Sequence, residues 1–155
     1  GLGNHEKAAV LLKDCRTLCQ TLNLPDRLTV VLGLLTVAKC NLQDSLAAHA
    51  CIGELLTIQP DDLQRNPIAL GFALATAALF LLELENPGLA IEIYALASND
   101  PFVANSRWFA DVVGQHVDTA AADLPPDVIV KAEKRGRARD LWATAAELRS
   151  YLSGS

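Results

Sequence analysis

Aromatic residues are scarce. They make up 5% of the 155 residues, although hydrophobic residues make up 51%. An interior built mostly from Ala, Leu and Val favours helices that approach closely through small side chains. Reaction signatures are missing as well. No GxxxxGK[ST], GxSxG, HExxH or GxGxxG occurs, so the phosphate-loop, nucleophile-elbow, zincin and dinucleotide-fold readings have no support. The 4 cysteines and 3 histidines show no CxxC or HxxxH spacing, and a zinc site would need such a set. Positive charge is not in excess. The net charge of −5 argues against wholesale non-specific nucleic-acid binding. No apolar run reaches the roughly 18–20 residues needed to span a bilayer, and no secretory signal opens the chain. No segment alternates as a strand does. A non-catalytic cytoplasmic protein without cofactor, metal or membrane contact is the expectation.

What is present is helical patterning around one apolar rod. Asn66-Pro67 is a helix-start signal. From Ile68 to Leu82 the chain carries no charge, and Thr76 is its only polar side chain. Glu83 and Glu85 then appear, and Asn86-Pro87-Gly88 stops the helix. A helix that is apolar all round must be covered on more than one side. The run is too short to span a membrane, so a helix clamped between neighbours, around Leu74 and Leu81, is predicted. A shorter helix follows with Leu89, Ala90, Ile93, Tyr94 and Ala97.

Upstream, Gly1 to Asn4 reads as a helix end and turn. Ala8, Leu12, Cys15, Cys19 and Leu22 then form one inner stripe at helical spacing. Pro25 restarts the chain, Leu28–Ala38 is a second uncharged run, and Asn41–Asp44 connects to a helix with Ala47, Cys51, Leu55 and Ile58 on one face. Pro60-Asp61-Asp62 ends that helix, and a polar linker reaches Asn66. Downstream, Ser98 to Pro101 is a turn cluster. A helix over 105–121 should bury Phe109, Val112, Val113 and Val117. After Leu124-Pro125-Pro126 another should bury Val128, Ile129 and Ala132 and weaken at Gly136. The last, 138–152, should face Leu141, Trp142, Ala145, Leu148 and Leu152 inward, and Ser153 to Ser155 should fray.

Several residues invite chemistry, each with a structural alternative. Arg107 near a helix N-terminus suits an anionic group, and Trp108 offers a stacking surface; alternatively Asn105 or Ser106 caps the helix and Trp108 packs inside. Lys131, Lys134, Arg135, Arg137 and Arg139 could contact phosphates or an acidic partner, or form a solvated helix end. The cysteines read as buried thiols before metal or redox groups. His5, His49 and His116 lack an acid at telling spacing.

The helices come in pairs. Ala8, Ala47 and Ala90 each precede a larger residue four positions later (Leu12, Cys51, Tyr94), at intervals longer than the ~34 residues of a tetratricopeptide unit. The run Leu89-Ala90-Ile91-Glu92-Ile93-Tyr94-Ala95-Leu96-Ala97, the run from Pro101 to Phe109, Leu124-Pro125-Pro126 and the stretch from Arg135 to Leu148 carry a likeness. They resemble the C-terminal tetratricopeptide-like arm of large bacterial STAND-type signalling ATPases and transcriptional regulators. Gly3-Asn4-His5 and Leu42-Gln43-Asp44 stand where that family has a Gly-Asp-Tyr type turn.

The resemblance implies an all-α, tetratricopeptide-like stack of antiparallel helix hairpins, an α-solenoid segment of about eight helices. Residues 1–155 would be one domain: a half repeat at 1–22, helix pairs at 25–59 and 66–98, and capping helices at 102–152. The chain would be part of a longer protein with a linked ATPase module. Its function would be that of a non-catalytic arm that senses a ligand or a protein partner. The alternative is a freestanding adaptor that binds a partner peptide or helix. First helices of the pairs would line a concave groove through Thr29, Leu32, Thr36 and Lys39, then Phe72, Ala75, Leu79 and Glu83. That groove would be covered by the C-terminal helices, by upstream repeats, or by a bound helix or apolar ligand. Thr29, Thr36, Lys39, Phe72, Glu83, Asn105, Arg107 and Trp108 are the candidate binding residues.

Overall fold

The computed structural model describes residues 2–57 and 67–153, and among them every regular element is a helix. In chain order these are α1 (Leu2–Thr21), α2 (Pro25–Asn41), α3 (Ser45–Thr57), α4 (Pro67–Glu83), α5 (Pro87–Ala97), α6 (Pro101–Ala104), α7, α8 (Pro126–Ala138) and α9 (Leu141–Ser153). The rod α7 has three parts: Arg107–Phe109, a π-helical turn at Ala110–Gly114, and Gln115–Ala121. The all-α class is as expected, with nine helices among the described residues.

Proline sets the starts. Pro25, Pro67, Pro87, Pro101 and Pro126 each open a helix, where the missing N–H costs nothing and φ is already helical. The ends of α1, α2 and α4 share one turn. Asn23, Gln43 and Glu85 take φ of 52, 57 and 54°. The N–H after each reaches back five residues, Leu24 to Cys19, Asp44 to Lys39 and Asn86 to Leu81, at 2.9–3.0 Å. This is the Schellman arrangement, which uses up orphan carbonyls and reverses the chain. Three such reversals put consecutive helices side by side.

Helix α4 is the centre. Ala73, Leu74, Ala75, Thr76 and Ala78 have no exposed surface, and Phe80 and Leu81 have 1%. It packs on α2, α3 and α5, with α6, α7 and α9 over its remaining flanks. Thr76, whose hydroxyl would otherwise be orphaned there, donates to the Phe72 and Ala73 carbonyls at 3.2 and 2.9 Å. Chain reversal continues through α5, which carries α8 along its length, while α9 returns to α3. That return is fixed by His49 Nε2, which donates to the Leu152 carbonyl at 3.1 Å, and by His49 stacking on Phe80.

Some details differ from the sequence reading. Leu2 to Asn4 already belong to α1. Cys15 and Leu22 are exposed, not inner; the covered side of α1 carries Ala9 and Cys19, with Arg16 paired to Glu54 of α3. Nine of the 20 residues of that helix are apolar and they fall on more than one face, so spacing alone did not fix which side meets α2. A separate helix, α6, precedes α7, because Asp100 accepts from the Phe102 N–H at 2.7 Å and so caps a start at Pro101. Helix α8 runs through Gly136 without weakening; a Cβ there would overlap the Glu92 carbonyl. Val128 is half-exposed. The stop at Pro60-Asp61-Asp62, the linker to Asn66, Ile58 and the last two residues lie outside the described residues.

Candidate functional site

The N-terminal half of α1, the C-terminal half of α2 and α7 line an open cavity of about 600 Å³. Ala8, Leu11 and Leu12 form one wall, Leu34, Val37 and Ala38 the floor, and Trp108 and Val112 the opposite wall. His5, Asn41, Asp111 and His116 supply its polar groups. The size falls within the few hundred to about 1,000 Å³ of small-molecule sites, and an apolar lining with a few polar groups is their usual composition.

Local chemistry aims Trp108 at this space. Ser106 caps α7 by accepting from the Phe109 N–H at 3.4 Å, and Asn105 Nδ2 donates to the Pro101 carbonyl at 2.8 Å. Together they hold the bend between α6 and α7. Phe109 is then buried, edge-on to Phe72, Phe102 and Trp108, with centroids 5.2, 6.1 and 5.0 Å away. Phe72 stacks on Trp108 at 5.8 Å and 12°. Half of the chain's 8 aromatic rings, counted as 4 Phe, 2 Trp and 2 Tyr, thus form one cluster that props the indole. Gly33 on α2 makes room for it, since a Cβ there would run into the Phe72 ring.

The π turn continues the wall past Tyr94. Gly114 comes so close that a Cβ would sit 2.9 Å from the Tyr94 hydroxyl. Burial, and then the charge of Asp118, push the Tyr94 phenol above its ordinary pKa. π turns recur at functional sites; here one lets α7 bulge around a phenol while Trp108, Asp111, Val112 and His116 stay on the cavity side. At the cavity, Asn41 Nδ2 is committed to the Val37 carbonyl at 2.9 Å, so its oxygen remains for a ligand donor. Asp111 is 3.5 Å from Arg107, in a pair that is mostly exposed and therefore weak.

No protein-family model, curated protein or solved structure matches the chain.

Of the candidate binding residues named from sequence, Trp108 alone borders the cavity; His5 and His116, which lacked an acid at telling spacing, border it too. Thr29 and Thr36 are completely buried and donate to the Pro25 and Leu32 carbonyls at 3.0 and 2.9 Å. They satisfy their own helix and line no open surface. Phe72, Ala75 and Leu79 are buried too, so the groove expected through them is filled. Lys39 is paired with Asp44 at 2.7 Å, Glu83 is exposed at the end of α4, and Arg107 is almost fully solvated. Leu34, Asn41 and Asp111 were not picked out from sequence, nor was their proximity to His5. The four lie on three separate helices, and no local pattern joins them.

The basic run on α8 has become a latch. Glu92 of α5 is 5% exposed and receives both Arg135, at 2.8 Å, and Arg139. Arg139 also reaches Glu147 and Thr144 of α9. Lys131 and Arg137 pair within α8 to Asp127 and Glu133. A lone Glu inside the apolar run Ile91-Glu92-Ile93 was the available signal. Among the thiols, burial, aided by Glu83, pushes Cys40 up to about 12, and burial raises Cys51; only Cys15 is exposed. Among the described residues no group of three or more His, Cys, Asp or Glu is gathered as a metal site, and no helix is long and apolar enough to cross a membrane.

Proposed function

We propose that this chain is a non-catalytic binding arm of a larger cytoplasmic bacterial regulator of the STAND type. Its cavity beside Trp108 takes a ligand or a partner's apolar side chain, and occupancy biases a linked ATPase or effector module. The observation that carries the reading is the open apolar cavity of about 600 Å³ lined by three helices, with Trp108 backed by an aromatic cluster. The lining can bind apolar matter and orient it through Asn41, His5 and His116. The likeness of residues 89–97 and 101–109 to tetratricopeptide-like arms supports the regulatory setting. Differential binding to two arrangements of α1 against α7 would be the means of control.

The test uses 1-anilinonaphthalene-8-sulfonate and the Trp142→Phe protein, in which Trp108 is the sole indole. Saturable dye uptake with energy transfer from Trp108 is expected. Leu11→Glu, a substitution at an exposed cavity edge, should weaken it by about tenfold or more. No saturable uptake would defeat the reading. The freestanding adaptor is favoured by one feature: Leu11 at the cavity edge and Val10 just outside it are exposed, so an apolar peptide could continue along α1. Sequencing the native reading frame separates the two: a nucleotide-binding module in the same polypeptide supports the regulator, and a short independent frame supports the adaptor.

A further inference from the structure

Six of the fourteen exposed large hydrophobic residues among the described ones belong to one hairpin, α1 with α2. Val10, Leu11 and Leu18 of α1 and Leu22 just past its end are 59–65% exposed, Cys15 is exposed between them, and Leu24 and Val30 are each 37% exposed. Leu11, Cys15, Leu18 and Leu22 follow one another at steps of four, three and four, which makes a straight ridge along one face of a helix. Beside the ridge, where α1 meets α2, runs a groove. It opens into a second cavity of about 550 Å³ lined by Cys15, Cys19, Asp26, Arg27, Val30 and Val31.

We infer that this face seats a second copy of the same chain, hairpin on hairpin, about a two-fold axis. An isologous contact requires that one surface carry both the projection and the recess. Here the leucine ridge and the groove lie side by side, so each ridge fills the other copy's groove. The size fits. The three ridge leucines, Leu11, Leu18 and Leu22, offer on the order of 300 Å² of apolar surface, in the range of functional patches. With Leu24, Val30, Cys15 and the groove walls, the face comes to on the order of 600 Å² per copy, at the low end of what specific complexes bury. Charge does not oppose it: Lys7 and Asp14 flank the ridge, and Asp26 and Arg27 line the groove, so both signs are present on each side. Leu11 belongs to the ridge and also to the wall of the Trp108 cavity, which couples pairing to that cavity's edge.

Sedimentation equilibrium of the full chain, from about 1 µM to about 100 µM, should show a species of about twice 16.6 kDa at the upper end. Leu18→Asp should shift the dissociation constant by about tenfold or more, while Leu46→Asp, at an 84% exposed position on α3, should not. Circular dichroism confirms that both variants fold. An independent readout needs no variant: Cys15, the one exposed thiol, should react with N-ethylmaleimide about fivefold or more slowly in the concentrated sample. A monomer throughout, a dimer that Leu18→Asp leaves intact, or a Cys15 rate independent of concentration would each overturn the inference.

Discussion

Single residues divide into those with room and those without. Gly136 and Gly53 are both helical, yet a Cβ on Gly136 would strike the Glu92 carbonyl, and one on Gly53 would meet nothing within 4 Å. Gly136→Ala should therefore destabilise the protein by about 1–3 kcal/mol through overpacking. Gly53→Ala should stabilise it by about 0.5–1 kcal/mol through helix propensity. Urea titrations of the two variants check both signs. Cys40 sets a pH dependence. Burial and then Glu83 raise its folded pKa to about 12, so the native state holds the thiol proton more tightly than the unfolded chain does. That contribution is complete below about pH 8.5, and is lost as pH rises towards 12. The stability curve should fall by up to about 1.4 kcal/mol per pH unit in that window, and Cys40→Ala should flatten the slope.

At the scale of elements, the recurring turn after α1, α2 and α4 carries a cost. Asn23, Gln43 and Glu85 hold a left-handed conformation that glycine adopts without a Cβ clash. Asn tolerates it best of the three. Gln43→Gly should thus raise stability by about 0.5–1 kcal/mol, measured as the thermal midpoint; a lower midpoint would mean that the Gln43 side chain contributes something the backbone geometry does not show. Helix starts were legible because proline and a capping side chain act within a few residues: Pro25, Pro87 and Pro126 each stand where a helix begins. The inner face of α1 was not. Leu11, Leu18 and Leu22 compete with Ala9 and Cys19 for the interior, and helical spacing accepts either set. Trp108 could be picked out as a rare, large side chain near a helix start, but its companions could not. Leu34, Val37, Ala38 and Val112 have the same pattern as ordinary core residues, and only the tertiary placement of α7 facing α2 across the cavity leaves space in front of them.

For the whole molecule, the layers differ in how they are held. Helix α4 is surrounded by packed side chains, whereas α8 and α9 depend on α5 through Glu92, Arg135 and Arg139 as well as through small-residue contact at Gly136. Removing the acid leaves two cations beside a buried position. Because both arginines are partly solvated, the cost should be about 2 kcal/mol, below that of a fully buried pair. Hydrogen exchange of Glu92→Ala should show α8 and α9 losing protection while α4 keeps it.

The sequence by itself determined the class, the central rod and most helix limits. Each follows from interactions within a few turns of one helix: an uncharged run, a proline, a cap. Only the tertiary structure decided which side of α1 faces inward, that the groove through Thr29, Thr36 and Phe72 is filled, and that a cavity opens beside Trp108. Those outcomes depend on how far apart the helices come to rest. That distance is set by paired surfaces distant in the chain, such as Gly136 against Glu92 and Gly33 against Phe72.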